Sequence, residues 1–190
     1  KTCAVSLSKI CNDLRLLSSG PKTGLGEINL PPKQNGSSIM PGKINPVIPE
    51  VVSQVAYNVI GNDVTVTLAA EAGQLELNAF EPVIFYNIFE SIDTLRGAVQ
   101  TLTDNCVLGI TANRDRCEQL VESSVAIATA LCPYIGYKKS ADIAKQSLES
   151  GISVRDLVLQ QNLMTPHQLE QCMNLKALTL PGHMAEYRKL

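Results

Sequence analysis

Asn45-Pro46-Val47-Ile48-Pro49-Glu50-Val51-Val52-Ser53-Gln54-Val55-Ala56-Tyr57-Asn58-Val59-Ile60 is the stretch whose reading decides the fold. Val51, Val52, Val55, Val59 and Ile60 recur at helical steps and mark one apolar face. Asn45 has the side chain of an N-cap, and Pro46 suits a first helical position, where its missing N–H costs little. Pro49 still falls near the first turn. Further on, Val64-Thr65-Val66-Thr67-Leu68 alternates and is β-branched, so alone it reads as a strand; the flanking pattern carries the helix through it. A second long helix is predicted from near Pro82 to about Leu108, with Ile84, Ile88, Ile92, Leu95, Val99 and Leu102 on its apolar face. Long helices in succession point to a bundle.

Upstream, Ala4, Leu7, Ile10, Cys11, Leu14 and Leu17 form the stripe of an amphipathic helix that Ser18-Ser19-Gly20-Pro21 stops. Residues 18 to 45 are rich in Gly, Pro, Ser and Asn, and a loop of that length is usually functional. After Gly109 the elements shorten. Asn113 is read as the cap of a helix to about Leu131, ended by Pro133 and Gly136, and Ser140 as the cap of another, ended by Gly151. Ser153 with Asp156, and Thr165 with Gln168, resemble capping boxes. The expected fold is all-α: residues 1–108 are part of a central helical bundle with its key loop at 34–46, and residues 109–190 are a small helical C-terminal domain.

The 190 residues suffice to bury a sizeable core. Charged residues make up 18% and hydrophobic ones 45%, which excludes disorder as the general state. Lys and Arg number 16 against 18 Asp and Glu without any basic block, so a nucleic-acid surface is not expected. There is no apolar run long enough for a membrane span, and no signal peptide. The six cysteines lack metal spacing and fall mostly in apolar helical runs, which reads as reduced thiols in the cytoplasm, with no metal and no cofactor. The chain opens mid-pattern without Met, as a fragment or processed form would.

The chemistry concentrates in Gly36-Ser37-Ser38-Ile39-Met40-Pro41-Gly42-Lys43-Ile44-Asn45-Pro46. Two hydroxyls, an ammonium and an amide precede a helix start, whose free N–H groups and dipole favour an anion. Gly36 and Gly42 permit close approach of a ligand. The physical reading is a lid that binds carboxylate or phosphate and carries a nucleophile or base; an ordinary surface loop feeding a capped helix is the plainer alternative. The spacing fits neither a P-loop nor the hydrolase Gly-x-Ser-x-Gly elbow. The same composition predicts that residues 34 to 43 are mobile without ligand.

This run resembles the signature of the aspartase/fumarase superfamily, Gly-Ser-Ser-x-x-Met-Pro-x-Lys-x-Asn-Pro, at every fixed position. Gly61-Asn62-Asp63, Ala69 to Asn78, Glu81-Pro82-Val83-Ile84, Gly109 to Arg114, Ile135-Gly136-Tyr137 and Ala141 to Lys145 extend the resemblance over nearly the whole chain. The Glu71-Ala72-Gly73-Gln74-Leu75 run is similar to the aspartase branch, whereas class II fumarases usually carry a Gly-Gly-Ala-Ser-Gly-Asn-Phe-like run there.

The resemblance implies an ammonia-lyase that eliminates ammonia from L-aspartate to give fumarate, within a homotetramer whose helices share a core and whose sites draw on three subunits. Class II fumarate hydratase, or a non-catalytic lyase-like oligomerisation module, are the alternatives. It further implies Ser37 as the catalytic base, with adjacent Ser38 open as a substitute or substrate ligand. Lys43 and Asn45 would bind substrate carboxylate, and Glu50 would pair with a catalytic histidine from another segment. A serine hydroxyl is a weak base unless donors or charge stabilise its alkoxide. Neither His167 nor His183 suits the histidine role; both read as surface residues. Glu71, Gln74, Glu76 and Asn78 read equally as site-lining or packing residues, and Phe80, Phe85, Tyr86 and Phe89 as packing residues.

Overall fold

The computed structural model describes residues 1–20, 22–34 and 44–179. Ser37, Ser38 and Lys43 lie outside them, as do His183 and the expectation of mobility at 34 to 43 for all but its first residue. The described residues are helical apart from one short β-pair and connecting turns, and they form two compact units, Lys1–Asn113 and Arg114–Leu190.

Three long helices build the first unit: α1 (Thr2–Leu17), α2 (Val47–Glu71) and α3 (Glu81–Asn105). Ala4, Ser8 and Cys11 are the buried stripe of α1. The helix stops where Ser18 Oγ donates to the Leu14 carbonyl at 2.7 Å and Ser19 Oγ to the Leu16 carbonyl at 2.6 Å. Such local side-chain bonds satisfy the last carbonyls and compete with further helix. A Cβ on Gly24 would run into the Ser19 carbonyl, so this return of the chain requires glycine.

The helix predicted through Val64 to Leu68 is continuous, so the flanking periodicity outweighs the strand propensity of that segment. Val52, near the start of α2, clusters with Ala98 and Leu102, near the end of α3, and with Cys11 and Cys106. Midway, Asn62 Nδ2 donates to Glu90 Oε2 at 2.9 Å and to Ser91 Oγ at 3.1 Å. The helices α2 and α3 are therefore antiparallel. Helix α1 also runs against α2: Lys1 pairs with Asp63 at 2.8 Å and Arg15 with Glu50 at 3.6 Å.

The turn between α2 and α3 is bracketed by Asn78, whose Nδ2 donates to the Ala69 carbonyl at 2.9 Å and whose Oδ1 accepts the Phe80 N–H at 2.8 Å. Within it Gln74 bridges Leu77, and exposed Leu75 adopts a positive φ of 54°.

Helix α3 stops at Asn105 rather than Leu108, and a 3₁₀ turn, Val107–Gly109, follows. Strand β2 (Thr111–Ala112) then pairs antiparallel with β1 (Ile28–Asn29), Ile28 opposite Ala112. This pairing keeps residues up to Asn113 in the first unit, although the texture of the sequence changes at Gly109. Asn45 is not the N-cap of α2. Pro46 occupies that position, and the Asn45 carbonyl accepts the Val47 N–H at 2.9 Å.

In the second unit, α4 (Arg114–Glu122) ends well before Leu131. Ser124 breaks it: in an extended conformation, its side chain accepts the Ala126 N–H and starts a 3₁₀ segment, Val125–Leu131. Next come α5 (Cys132–Ile135), α6 (Tyr137–Ser150), α7 (Val154–Gln160), α8 (Pro166–Cys172) and α9 (Leu175–Leu178). Helix α6 starts earlier than Ser140, which lies within its first turn and donates to the Gly136 carbonyl at 2.9 Å. Gly151, at φ 72°, ends it in the left-handed conformation that favours glycine. Ser153 and Thr165 cap α7 and α8 as expected, and Thr165 with Gln168 makes both bonds of a capping box. Leu131, Ile143, Val158 and Leu169 centre the core of this unit.

Candidate active site

The described part of the site is the entrance to α2. Pro46 and Pro49 restrict the backbone on either side of the first turn, and Glu50 N–H bonds the Pro46 carbonyl at 3.2 Å. Glu50 thereby stands in the first turn, where a carboxylate is favoured by the helix dipole. Its side chain is about one-third exposed, and Oε1 lies 3.6 Å from Nη2 of Arg15. Gln54 Nε2 reaches back to the Glu50 carbonyl at 3.4 Å. Asn45 is half-buried beside a niche of about 10 Å³ shared with Leu30, Pro46, Ile48, Asn105 and Cys106.

Asn45 and Glu50 are thus held at the N-terminal end of α2. Glu71, Gln74, Glu76 and Asn78 are not brought to them. They sit at the other end of α2, about 30 Å away at 1.5 Å per residue. Asn78 is a structural bracket there. His167 is exposed on α8. Phe80, Phe85, Tyr86 and Phe89 are not core residues of this chain: each is exposed, and the Phe85 and Phe89 rings stack at 6.1 Å on the outer face of α3.

Arg15 is the residue that sequence reasoning missed. Its only sequence signal is a basic side chain in the last turn of α1, which has an ordinary explanation in the helix dipole. Asp63 also has a partner, since its carboxyl is held below the usual range by the hydrogen bond from Lys1. Among the described residues, no three His, Cys, Asp or Glu side chains are grouped to hold a metal ion, and no helix is long and apolar enough to cross a membrane.

A lyase family model matches residues 1–61, and a model of the fumarase C C-terminus matches residues 127–180. The chain is 63% identical over 164 residues to the aspartate ammonia-lyase of Pseudomonas aeruginosa, covering 86% of this chain and 35% of that protein. It is 58% identical over 188 residues to the Helicobacter pylori aspartate ammonia-lyase, covering 99% and 40%. Among solved structures, it superposes on a fumarate lyase:delta crystallin from Brucella melitensis bound to cobalt with a TM-score of 0.90 and 54% identity, over 95% of this chain and 39% of that one. A class II fumarase from Schistosoma mansoni gives a TM-score of 0.85 at 34% identity, over 94% and 38%.

The chain belongs to the aspartase/fumarase superfamily of lyases. Within it the chain is similar to the aspartate ammonia-lyases, and it spans about two fifths of the length of these curated relatives, matching their C-terminal portion.

Proposed function

We propose that this chain is part of an aspartate ammonia-lyase, which converts L-aspartate to fumarate and ammonia without a cofactor. The observation that carries the reading is identity: the aspartate ammonia-lyases of P. aeruginosa and H. pylori reach 63% and 58%, whereas the class II fumarase reaches 34%. The Glu71 to Leu75 run supports the same choice.

The proton removed is on the carbon beside one carboxylate and is weakly acidic. Ser37 Oγ, as alkoxide, takes that proton; the C–H electrons move into the carboxylate and form a doubly charged aci-carboxylate. On collapse of that species the carbon–carbon double bond forms and the carbon–nitrogen bond breaks, anti to the lost proton, releasing ammonia. The intermediate carries the charge that must be stabilised, and fixed donors are the natural means. Ser38, Lys43 and Asn45 bind substrate carboxylate. Glu50 orients a histidine contributed by another segment. The dipole at the start of α2 adds positive potential.

The same reading makes the protein a homotetramer with shared active sites. Phe85, Ile88, Phe89, Ile92 and Val99 support it, because they form a helical stripe on α3 that the described residues leave exposed. A cytoplasmic location is supported by six free thiols.

The test is the purified full-length protein supplied separately with L-aspartate and L-malate, following fumarate absorbance. Turnover of L-aspartate is expected. Fumarate from L-malate alone would make it a hydratase, and no turnover of either would leave an oligomerisation module.

A further inference from the structure

The functional reading ties Glu50 to a histidine of another segment, yet the first unit gives it a different partner. Arg15, in the last turn of α1, places Nη2 3.6 Å from Glu50 Oε1. That separation is an ion pair and exceeds hydrogen-bond range. Arg15 is itself steadied from its own helix, since Nη1 donates to Asn12 Oδ1 at 3.4 Å. The ion pair is made through Oε1 of Glu50. An ion pair this exposed adds at most about 1 kcal/mol of stability. Its consequence lies in orientation.

We propose that Arg15 is a positioning residue for the elimination: it holds Glu50 by one carboxylate oxygen and leaves the other available to the catalytic histidine. This rests on the reading of Glu50 given above. Three features make Arg15 suited to the task. Helices α1 and α2 pack together, so the base of each side chain is fixed. Pro46, Pro49 and Gln54 restrain the backbone that carries Glu50. A guanidinium presents a rigid fork, which constrains a carboxylate more than a rotating ammonium does. Glu50 has three side-chain torsions, and without Arg15 only the distant histidine would order them.

The experiment compares Arg15→Met, Arg15→Lys, Glu50→Gln and the Arg15→Met/Glu50→Gln double variant in the full-length protein. Methionine keeps much of the apolar stem and removes the charge. Arg15→Met should lower kcat about ten- to a hundredfold, the scale of a slightly misplaced group, with KM within about threefold. Arg15→Lys keeps the charge and loses the fork, so it should recover only part of that loss. In the Glu50→Gln background, Arg15→Met should cost less than about twofold, because the two residues act as one unit. Equal losses in both backgrounds, a raised KM at unchanged kcat, or an Arg15→Met protein that fails to assemble would each overturn the proposal. If wild type and Glu50→Gln turn over L-aspartate equally, the reading of Glu50 falls and takes this inference with it. A slow Glu50→Gln beside a fast Arg15→Met defeats the inference alone.

Discussion

Asn29 and Asn113 exchange side-chain hydrogen bonds in both directions: Asn29 Nδ2 donates to Asn113 Oδ1 at 2.7 Å, and Asn113 Nδ2 donates to Asn29 Oδ1 at 3.0 Å. Asn113 also donates from Nδ2 to the Gly26 carbonyl and from its backbone to the Glu27 carbonyl, both at 2.9 Å. Asn29 Nδ2 further reaches Thr111 Oγ1 at 3.2 Å. These bonds fasten the chain approaching the signature loop to the chain leaving α3, around a β-pair of two residues per strand. A pairing that short has little stability of its own, so the side chains supply most of the fastening.

Removing this bracket should therefore be measurable. Asn113→Ala is expected to destabilise the full-length protein by about 1–2 kcal/mol, and Asn29→Ala by about 1 kcal/mol, given the net worth of such bonds. The double variant should lose less than the sum, because each single change already breaks the mutual pair. Urea unfolding of the three variants is the check. Losses below about 0.3 kcal/mol throughout would show that the pair holds nothing.

Two buried thiols predict how stability depends on pH. Burial pushes the Cys11 thiol up to about 11, with a further push from neighbouring Cys106, and burial alone pushes Cys172 to about 11. The unfolded thiols ionise near 9. Between those values the unfolded chain releases protons that the folded chain retains, so stability is intact below pH 9 and falls as pH rises toward 11. Each thiol contributes a slope of up to about 1.4 kcal/mol per pH unit. Cys172→Ala should lower stability at neutral pH through the lost packing, yet flatten the decline above pH 9. Denaturant melts across that range will read the difference between the variant and wild type. An unchanged slope would mean that Cys172 ionises as readily in the folded state.

The helical architecture was readable because three helices carry long periodic stripes, and because Gly151, Ser153 and Thr165 punctuate the second unit as their chemistry requires. Three features were not readable, each for a physical reason. Asn45 has the composition of a cap, but Pro46 takes the position by backbone geometry alone. The β1–β2 pair joins segments of two residues too short to show alternation. The outward apolar stripe of α3 looks the same in sequence as a core-facing one, since periodicity says that a face is apolar and not what covers it. For the site, the run from Ser37 to Asn45 is visible as a linear motif, whereas Arg15 meets Glu50 only through the packing of α1 on α2.

The choice between the two hydroxyls of the loop can be tested directly. Ser37→Ala should lower kcat by about three orders of magnitude, within the range set by loss of a general base, while the oligomeric state and the helix content are unchanged. Ser38→Ala should chiefly raise KM, as loss of a substrate ligand does. Steady-state fumarate formation by the two variants, with sizing chromatography alongside, decides the matter. The opposite pattern would move the base by one residue.

Taken alone, the 190 residues should neither catalyse deamination nor remain monomeric. Asn45 and Glu50 are held at one end of α2, but the unit that carries them, Lys1–Asn113, contains no histidine. A base without an oriented substrate forfeits most of the proximity contribution, worth several kcal/mol of barrier, on the order of the ~7–11 seen in intramolecular reactions. The same chain leaves Phe89 61% and Ile92 57% exposed on one stripe of α3, with Tyr57, Val64 and Leu68 exposed on α2. An isolated apolar side chain on a surface is ordinary, but a stripe continued over several turns is a surface that seeks a partner. The purified chain should elute on sizing as a dimer or larger species, and Phe89→Lys with Ile92→Lys should shift it toward monomer. Fumarate formation from L-aspartate should stay at background in every case. Turnover from a monomeric 190-residue chain would show that the site is complete within it, against both the shared-site reading and the partner assigned to Glu50.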